Sequence, residues 1–297
     1  MKILIADSFG KDLPEKLKEF GEVTDDINEL PNADVILVRS ATKATDEYLE
    51  KAKNLKLIIR GGVGVDNIDI GYCTEHNICA QNTPEASSIA VAELAIAFML
   101  GIQRNIVKAH NTTKAGQWAK KELKGRELYK KTLGLIGIGR IGYEVAKRAM
   151  AFEMDVIAYD PYVKDSKIPL VGLDELLARS DFVSLHTPAT KETLGMVNKE
   201  FIAKMKNGAV LINTARGKLL NEQDVYDALQ SGRLGFLGTD VYSTEPPGDS
   251  PLLRADNVLL APHIGASTHE NMDRIGDIVC RLIKDLSEGK ELISLKP

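Results

Sequence analysis

His263, Glu245 and Arg216 have the side-chain types needed to move a proton and hold an anion together. An imidazole titrates near neutral pH, so His263 is the candidate base. Glu245 stands in Asp240-Val-Tyr-Ser-Thr-Glu-Pro-Pro247, where two prolines stiffen the loop that carries it. Hydrogen-bonded to His263, its carboxylate would orient the ring and favour the imidazolium. Arg216, in Asn213-Thr-Ala-Arg-Gly217, offers a planar, permanently charged fork able to hold a 2-oxo acid by two hydrogen bonds. A base, a carboxylate tuning it and a cation suit the oxidation of a secondary alcohol whose hydride leaves to a nicotinamide. Each residue alone also has a plainer reading, a structural Arg–Glu pair or a histidine at the start of the helix containing Glu270.

A dinucleotide site is expected at Lys131-Thr-Leu-Gly-Leu-Ile-Gly-Ile-Gly-Arg-Ile-Gly142. The apolar run Thr132 to Ile136 reads as a buried strand, and Val145, Ala146, Ala149 and Met150 recur at helical spacing beyond it. Between them Gly137, Gly139 and Gly142 have the spacing G-x-G-x-x-G. Gly137 would make the tight turn, Gly139 would admit a pyrophosphate, and Gly142 would let helix and strand pack closely, with phosphate charge at the helix N-terminus. Asp160 follows Gly142 by 18 residues, at the end of a second apolar run. A carboxylate there can accept hydrogen bonds from an adenosine ribose and would repel a 2′-phosphate, which points to NAD rather than NADP. The alternative is a plain βαβ turn followed by an Asp-Pro loop.

Two further loops follow strands, Val38-Arg-Ser-Ala-Thr42 and Arg60-Gly-Gly-Val-Gly-Val-Asp-Asn67. Ligands of open α/β sheets bind beyond the carboxyl ends of strands. The second loop's glycines would let backbone N–H groups converge on an anion, with Arg39 and Arg60 adding charge, unless this is a glycine turn with solvated arginines. The basic segment Lys120 to Lys131 reads as a solvated connection.

Strands and helices must alternate to position these residues. Short apolar runs at 2–6, 34–38, 57–59 and 78–81 are separated by helical stretches around 14–20, 45–52 and 68–75. From 89 to about 106 the chain is apolar and alanine-rich, like a helix buried on most sides and crossing between lobes. The alternation resumes after Asp160, and its strands end in His186-Thr-Pro188, Asn213, Asp240 and Pro262-His263. The expected fold is α/β, with parallel sheets covered on both faces.

At 297 residues the chain is long for one core, and 44% hydrophobic with 27% charged residues is an ordinary globular composition. A net charge of −4 gives no reason to expect nucleic acid or an anionic membrane as partner. No apolar run approaches the ~20 residues that span a bilayer, and Asp7 closes the first apolar stretch too early for a signal peptide. Cys73, Cys79 and Cys280 show no C-x-x-C pattern and the five histidines no zinc spacing, so reduced thiols, a cytoplasmic setting and no metal are expected.

Thr214-Ala-Arg-Gly217, Asp240 to Glu245-Pro-Pro, and Pro262-His-Ile-Gly-Ala-Ser-Thr268, beside the glycine loop, resemble the motifs of the NAD-dependent D-isomer-specific 2-hydroxyacid dehydrogenases over nearly the whole chain. The resemblance implies two doubly wound, Rossmann-like lobes. The substrate lobe would be discontinuous, 1–95 with 267–297, and the NAD lobe would span 96–266. It implies that Arg216 holds the substrate's carboxylate and carbonyl, that His263 moves the proton and that Glu245 pairs with it. Arg39 and Ser40 would meet a phosphate on the substrate, Val63 and Gly64 amides its carboxylate, with Arg60 beside them. NAD would contact Arg140, Ile141, Asp160, Thr187, Thr214, Ala215, Asp240, Gly265 and Ala266 as well as the three glycines. A small phosphorylated 2-hydroxy acid as substrate and a homodimer built through the NAD lobe are likewise implied. Reduction of an unphosphorylated glyoxylate or hydroxypyruvate and a non-catalytic, NAD-sensing role are the alternatives. Many members continue into a C-terminal regulatory domain, and feedback through one is not expected of a chain ending at Pro297.

Overall fold

Val35-Ile-Leu-Val38 and Leu57-Ile-Ile59 lack any polar alternation because both faces of their sheet are covered. A computed structural model describes residues 1–296, in which the chain forms two compact units, 1–87 with the segment from 266, and 88–265. Pro297, expected within the first lobe, lies outside the described residues.

The first unit runs β1 (Lys2–Ile5), α1 (Leu13–Leu17), β2 (Glu22–Thr24), β3 (Val35–Val38), α2 (Asp46–Leu49), β4 (Leu57–Arg60), α3 (Ile70–Glu75) and β5 (Cys79–Asn82). All its strands are parallel, in the order β2-β1-β3-β4-β5. The winding reverses at β1, and such switch points are where open α/β sheets place ligands. β2 escaped the sequence reading because it is three residues long and buries none of them.

The second unit begins with α4 (Ser88–Gln103) and α5 (Ile106–Lys114) and continues β6 (Thr132–Ile136), α6 (Arg140–Ala151), β7 (Asp155–Tyr159), α7 (Leu173–Arg179), β8 (Phe182–Leu185), α8 (Lys199–Lys204), β9 (Ala209–Asn213), α9 (Glu222–Gln230), β10 (Leu234–Thr239) and β11 (Val258–Leu260). Its parallel sheet has the order β11-β10-β9-β8-β6-β7, which reverses at β6, the strand that feeds the glycine loop. Two corrections concern α4. A boundary after residue 95 would cut it, but Ala92, Ala95, Ile96, Phe98 and Met99 share one core with Leu133, Val145 and Val156, so the whole helix belongs to the second unit. It also ends before Ile106, because Asn105 turns left-handed at φ 52° and α5 starts anew.

The chain then returns to the first unit as α10 (His269–Ser287), capped by Thr268, whose hydroxyl accepts the Asn271 amide. Ile275, Val279 and Ile283 pack with Ile3, Leu13 and Leu17 on one face of the first sheet, while Leu4, Ile36 and Ile58 belong to the core of the other. The last residues lie along the edge strand β5: the Leu295 amide donates to Ala80 O, Ala80 N–H to Ser294 Oγ and Gln81 Nε2 to Ile293 O. Among the described residues no single helix is long and apolar enough to cross a membrane. Nor, among them, do three or more His, Cys, Asp or Glu side chains converge as metal ligands.

Candidate active site

Each glycine after β6 has its own steric reason. Gly137 has φ +92°, and a Cβ there would lie 2.5 Å from His186 O. A Cβ at Gly142 would lie 2.3 Å from Gly137 O, so only glycine lets α6 start this close to the turn. At Gly139 an added Cβ would meet nothing within 4 Å. That space opens over the N-cap of α6, which no side chain caps, with Arg140 exposed and Ile141 half-buried behind it. An uncapped helix start facing open space over a glycine is a cradle that fits a pyrophosphate. Asp160 closes the far side: its Oδ2 accepts the Ile138 amide at 3.1 Å and its Oδ1 the Tyr162 amide at 3.0 Å. Each oxygen keeps a lone pair for a ribose hydroxyl. The residues present therefore fit an NAD-type dinucleotide.

The ends of β8 and then β9 follow on one side of this loop. His186 Nε2 pairs with Ser184 Oγ at 2.9 Å, and its Nδ1 is shielded from solvent without a partner. Burial drives its pKa down to about 4, so the ring is neutral. The residue keeps some exposed surface, but its Nδ1 is enclosed. Thr187 follows, half-buried. On β9, Asn213 is fully buried and shapes the turn: its Oδ1 accepts the Ala215 amide at 3.1 Å and its Nδ2 donates to Arg216 O at 2.9 Å. Thr214 Oγ1 is a second enclosed polar atom without a partner. Arg216 Nη1 donates to Ala215 O at 2.7 Å. A Cβ at Gly217 would lie 1.8 Å from the Tyr242 carbonyl carbon, so glycine lets this turn press against the Glu245 loop.

That loop brings the candidate acid–base pair together. Glu245 Oε2 lies 2.6 Å from His263 Nδ1, and Glu245 Oε1 accepts the Tyr242 amide at 3.2 Å. Burial raises the Glu245 carboxyl, but the His263 hydrogen bond, the charges of His263 and Arg216 and the Tyr242 amide prevail and hold it below its ordinary value. Arg216 thus acts on the pair through its charge. Glu222 steadies the same loop, accepting from the Ser243 amide at 2.9 Å and the Ser250 hydroxyl at 2.6 Å. His263 has φ 55° and is followed by amides of Ile264 and Gly265 that both donate to Asp240, each at 2.7 Å. Asp240 is buried, and desolvation keeps its carboxyl above the ordinary range despite those two amides. Sequence reading assigned Asp240 to the cofactor; its bonds hold the loop after His263. Glu222 carried no signal, since a glutamate at a helix start looks like any favourable N-terminal charge.

In the first unit the glycine loop departs from expectation. The Gly61 amide donates to Val38 O at 2.8 Å and the Gly62 amide to Arg60 O at 2.9 Å. The glycine amides at 61 and 62 therefore do not converge on an anion, and among the described residues the Val63 and Gly64 amides meet no backbone carbonyl. The Arg60 side chain folds over Gly62, where a Cβ would lie 1.7 Å from its Nη1. Arg39 is half-buried, its Nη1 donating to Ser8 O at 3.3 Å, and Ser40 is exposed. Ala266 belongs to this unit, its carbonyl accepting from Asn271 Nδ2 at 2.6 Å.

Residues 96–265 match the model of the D-isomer specific 2-hydroxyacid dehydrogenase NAD binding domain. The chain is 45% identical over 304 residues to a D-3-phosphoglycerate dehydrogenase of Methanocaldococcus jannaschii, covering 98% of this chain but 58% of that protein. It is 49% identical over 263 residues to a hydroxypyruvate reductase of Thermotoga maritima, covering 86% of each. Its fold superposes on a D-lactate dehydrogenase from Aquifex aeolicus, solved with NAD and lactic acid, at TM-score 0.87 and 35% identity, over 97% of this chain and 96% of that one. On these matches and the geometry above, the chain is a member of the D-isomer-specific 2-hydroxyacid dehydrogenases, an NAD-dependent family.

Proposed function

We propose that the chain oxidises 3-phospho-D-glycerate at its C2 hydroxyl to 3-phosphohydroxypyruvate, the reaction that opens serine synthesis. The observation that carries this reading is the 2.6 Å bond between His263 and Glu245, beside a loop that fits NAD. Bound NAD supplies the hydride acceptor. His263 takes the hydroxyl proton, and Glu245 fixes the ring and compensates the positive charge it gains. Arg216 holds the carboxylate and the developing carbonyl, with Val63 and Gly64 amides at the carboxylate. Arg39 and Ser40 receive the phosphate. The 45% identity to the M. jannaschii protein supports the substrate, although this chain spans little more than half that protein's length.

A reductase acting on hydroxypyruvate or glyoxylate is the second reading, favoured by the T. maritima relative, which matches this chain over most of both lengths. Steady-state rates with NADH on phosphohydroxypyruvate, hydroxypyruvate and glyoxylate decide between them. A preference in kcat/KM for the phosphorylated acid is expected, and equal or better use of the unphosphorylated ones overturns it. A chain that turns over none of the three is the NAD-sensing protein instead.

The free thiols of Cys73, Cys79 and Cys280 suit a reducing, cytoplasmic setting. A homodimer through the second unit is supported by α5, which buries none of its residues and exposes Ile106 and Val107, and by Trp118, 83% exposed. Sedimentation of the wild type and Trp118→Ser tests it: a monomeric wild type sinks the dimer.

A further inference from the structure

Asp7 has no place in the site as read so far, yet it sits where the first sheet reverses its winding, just past β1. Its Oδ2 accepts the Arg39 amide at 2.5 Å and its Oδ1 the Thr42 hydroxyl at 2.7 Å, while the Thr42 amide reaches both oxygens at 3.2 Å. From the opposite side Asn67 Nδ2 donates to Arg39 O at 2.7 Å and to Thr42 O at 2.6 Å. Two side chains from two other strand-end loops thus fix the amides and carbonyls at both ends of the Arg39-Ser-Ala-Thr42 turn. Because those two amides already face a carboxylate, an incoming anion must be met by the Arg39 head and by Ser40. Among the described residues Arg39 Nε is enclosed without a partner, and Nη1 makes a 3.3 Å bond to Ser8 O. Burial lowers the guanidinium's pKa and the charge of Asp7 opposes that shift. A turn held in this way presents Arg39 already ordered, so less side-chain and backbone freedom is lost when a ligand binds.

We propose that Asp7, with Asn67 as its counterpart on the carbonyls, is the positioning residue through which the Arg39 turn selects phosphorylated over unphosphorylated 2-oxo acids. This rests on Arg39 meeting the substrate's phosphate. Asp7→Ala removes the carboxylate that accepts the Arg39 amide and the Thr42 amide and hydroxyl, whereas Asp7→Asn keeps one oxygen and the shape.

Two measurements on the folded variants test the proposal. In amide hydrogen exchange, Arg39 and Thr42 should exchange about tenfold or more faster in Asp7→Ala and less so in Asp7→Asn, the loss expected when hydrogen bonds to a charged acceptor go. In NADH-linked kinetics, the ratio of kcat/KM for phosphohydroxypyruvate to that for hydroxypyruvate should fall about tenfold in Asp7→Ala, through KM for the phosphorylated acid, with Asp7→Asn intermediate. Unchanged exchange overturns the positioning role, and so does a ratio that stays at the wild-type value in Asp7→Ala while Arg39→Ala lowers it. If Arg39→Ala also leaves the ratio untouched, the phosphate reading itself falls and takes the selectivity with it; the exchange result still reports separately whether Asp7 orders the turn.

Discussion

His263 Nδ1 lies 2.6 Å from Glu245 Oε2, and the histidine making this bond has a left-handed backbone, φ 55°. Such a conformation is uncommon for a side-chain-bearing residue and persists where neighbours enforce it. Here Asp240 enforces it by accepting the two amides that follow, so a buried carboxylate aims the imidazole that an exposed one orients. His263→Ala should lower turnover by about 10²–10⁴-fold, the usual worth of a general acid–base group. NAD affinity, read by calorimetry, should change little. A variant with half the wild-type rate would contradict the assignment.

The glycine loop separates binding from folding. Gly139→Ala adds a methyl where nothing lies within 4 Å, so its melting temperature should match the wild type while NAD binding weakens. Gly142→Ala drives a methyl to 2.3 Å from Gly137 O and should lower stability by about 1–3 kcal/mol. Thermal melts with and without NAD distinguish them, and equal destabilisation in both variants would remove the argument for an open cradle over Gly139.

Asp160→Ala should weaken NAD and narrow the preference for NAD over NADP, since a carboxylate next to the ribose repels a 2′-phosphate. The Ile138 and Tyr162 amides would also lose their acceptor, so a stability loss of about 1–3 kcal/mol should accompany it. Comparing kcat/KM for both cofactors checks the ribose contact; an unaltered ratio speaks against it.

His186 gives the pH prediction. Its folded-state pKa, about 4, lies below the ordinary 6.5, so between those values the folded chain binds fewer protons than the unfolded one. Its contribution is complete above pH 6.5 and is lost as pH falls through about 4. The wild type should therefore lose melting temperature more steeply across that window than His186→Gln. Parallel curves would show that the ring is not held neutral.

The parallel sheets were legible because fully covered strands leave continuous apolar runs such as Val35 to Val38, and the nucleotide loop because Gly137 and Gly142 stand where a Cβ has no room, in the spacing that marks such a turn. His263, Glu245 and Arg216 were legible as types, and folding brings them into one electrostatic group. Asp7 and Glu222 were not legible as positioning groups, since the amides they accept lie in other loops, and backbone leaves no residue signature; Asn213 bonds the backbone of its own turn, which its residue type alone does not announce. In the Arg60 to Gly64 loop, glycine content indicated freedom but not partners: those of the Gly61 and Gly62 amides depend on where Val38 and Arg60 place their carbonyls.

Residues 292–295 lie along the outer edge of β5, bonding Ala80 and Gln81. During synthesis the second unit is complete once residue 265 has emerged and can fold as it leaves the ribosome. The first unit, though begun earlier, must hold its opening segment with an unpaired flank for roughly ten to forty seconds at ordinary elongation rates while 88–265 are made. A bare strand flank invites other chains to pair with it. Nascent chains stalled before residue 292 should therefore be more prone to aggregate than the finished protein.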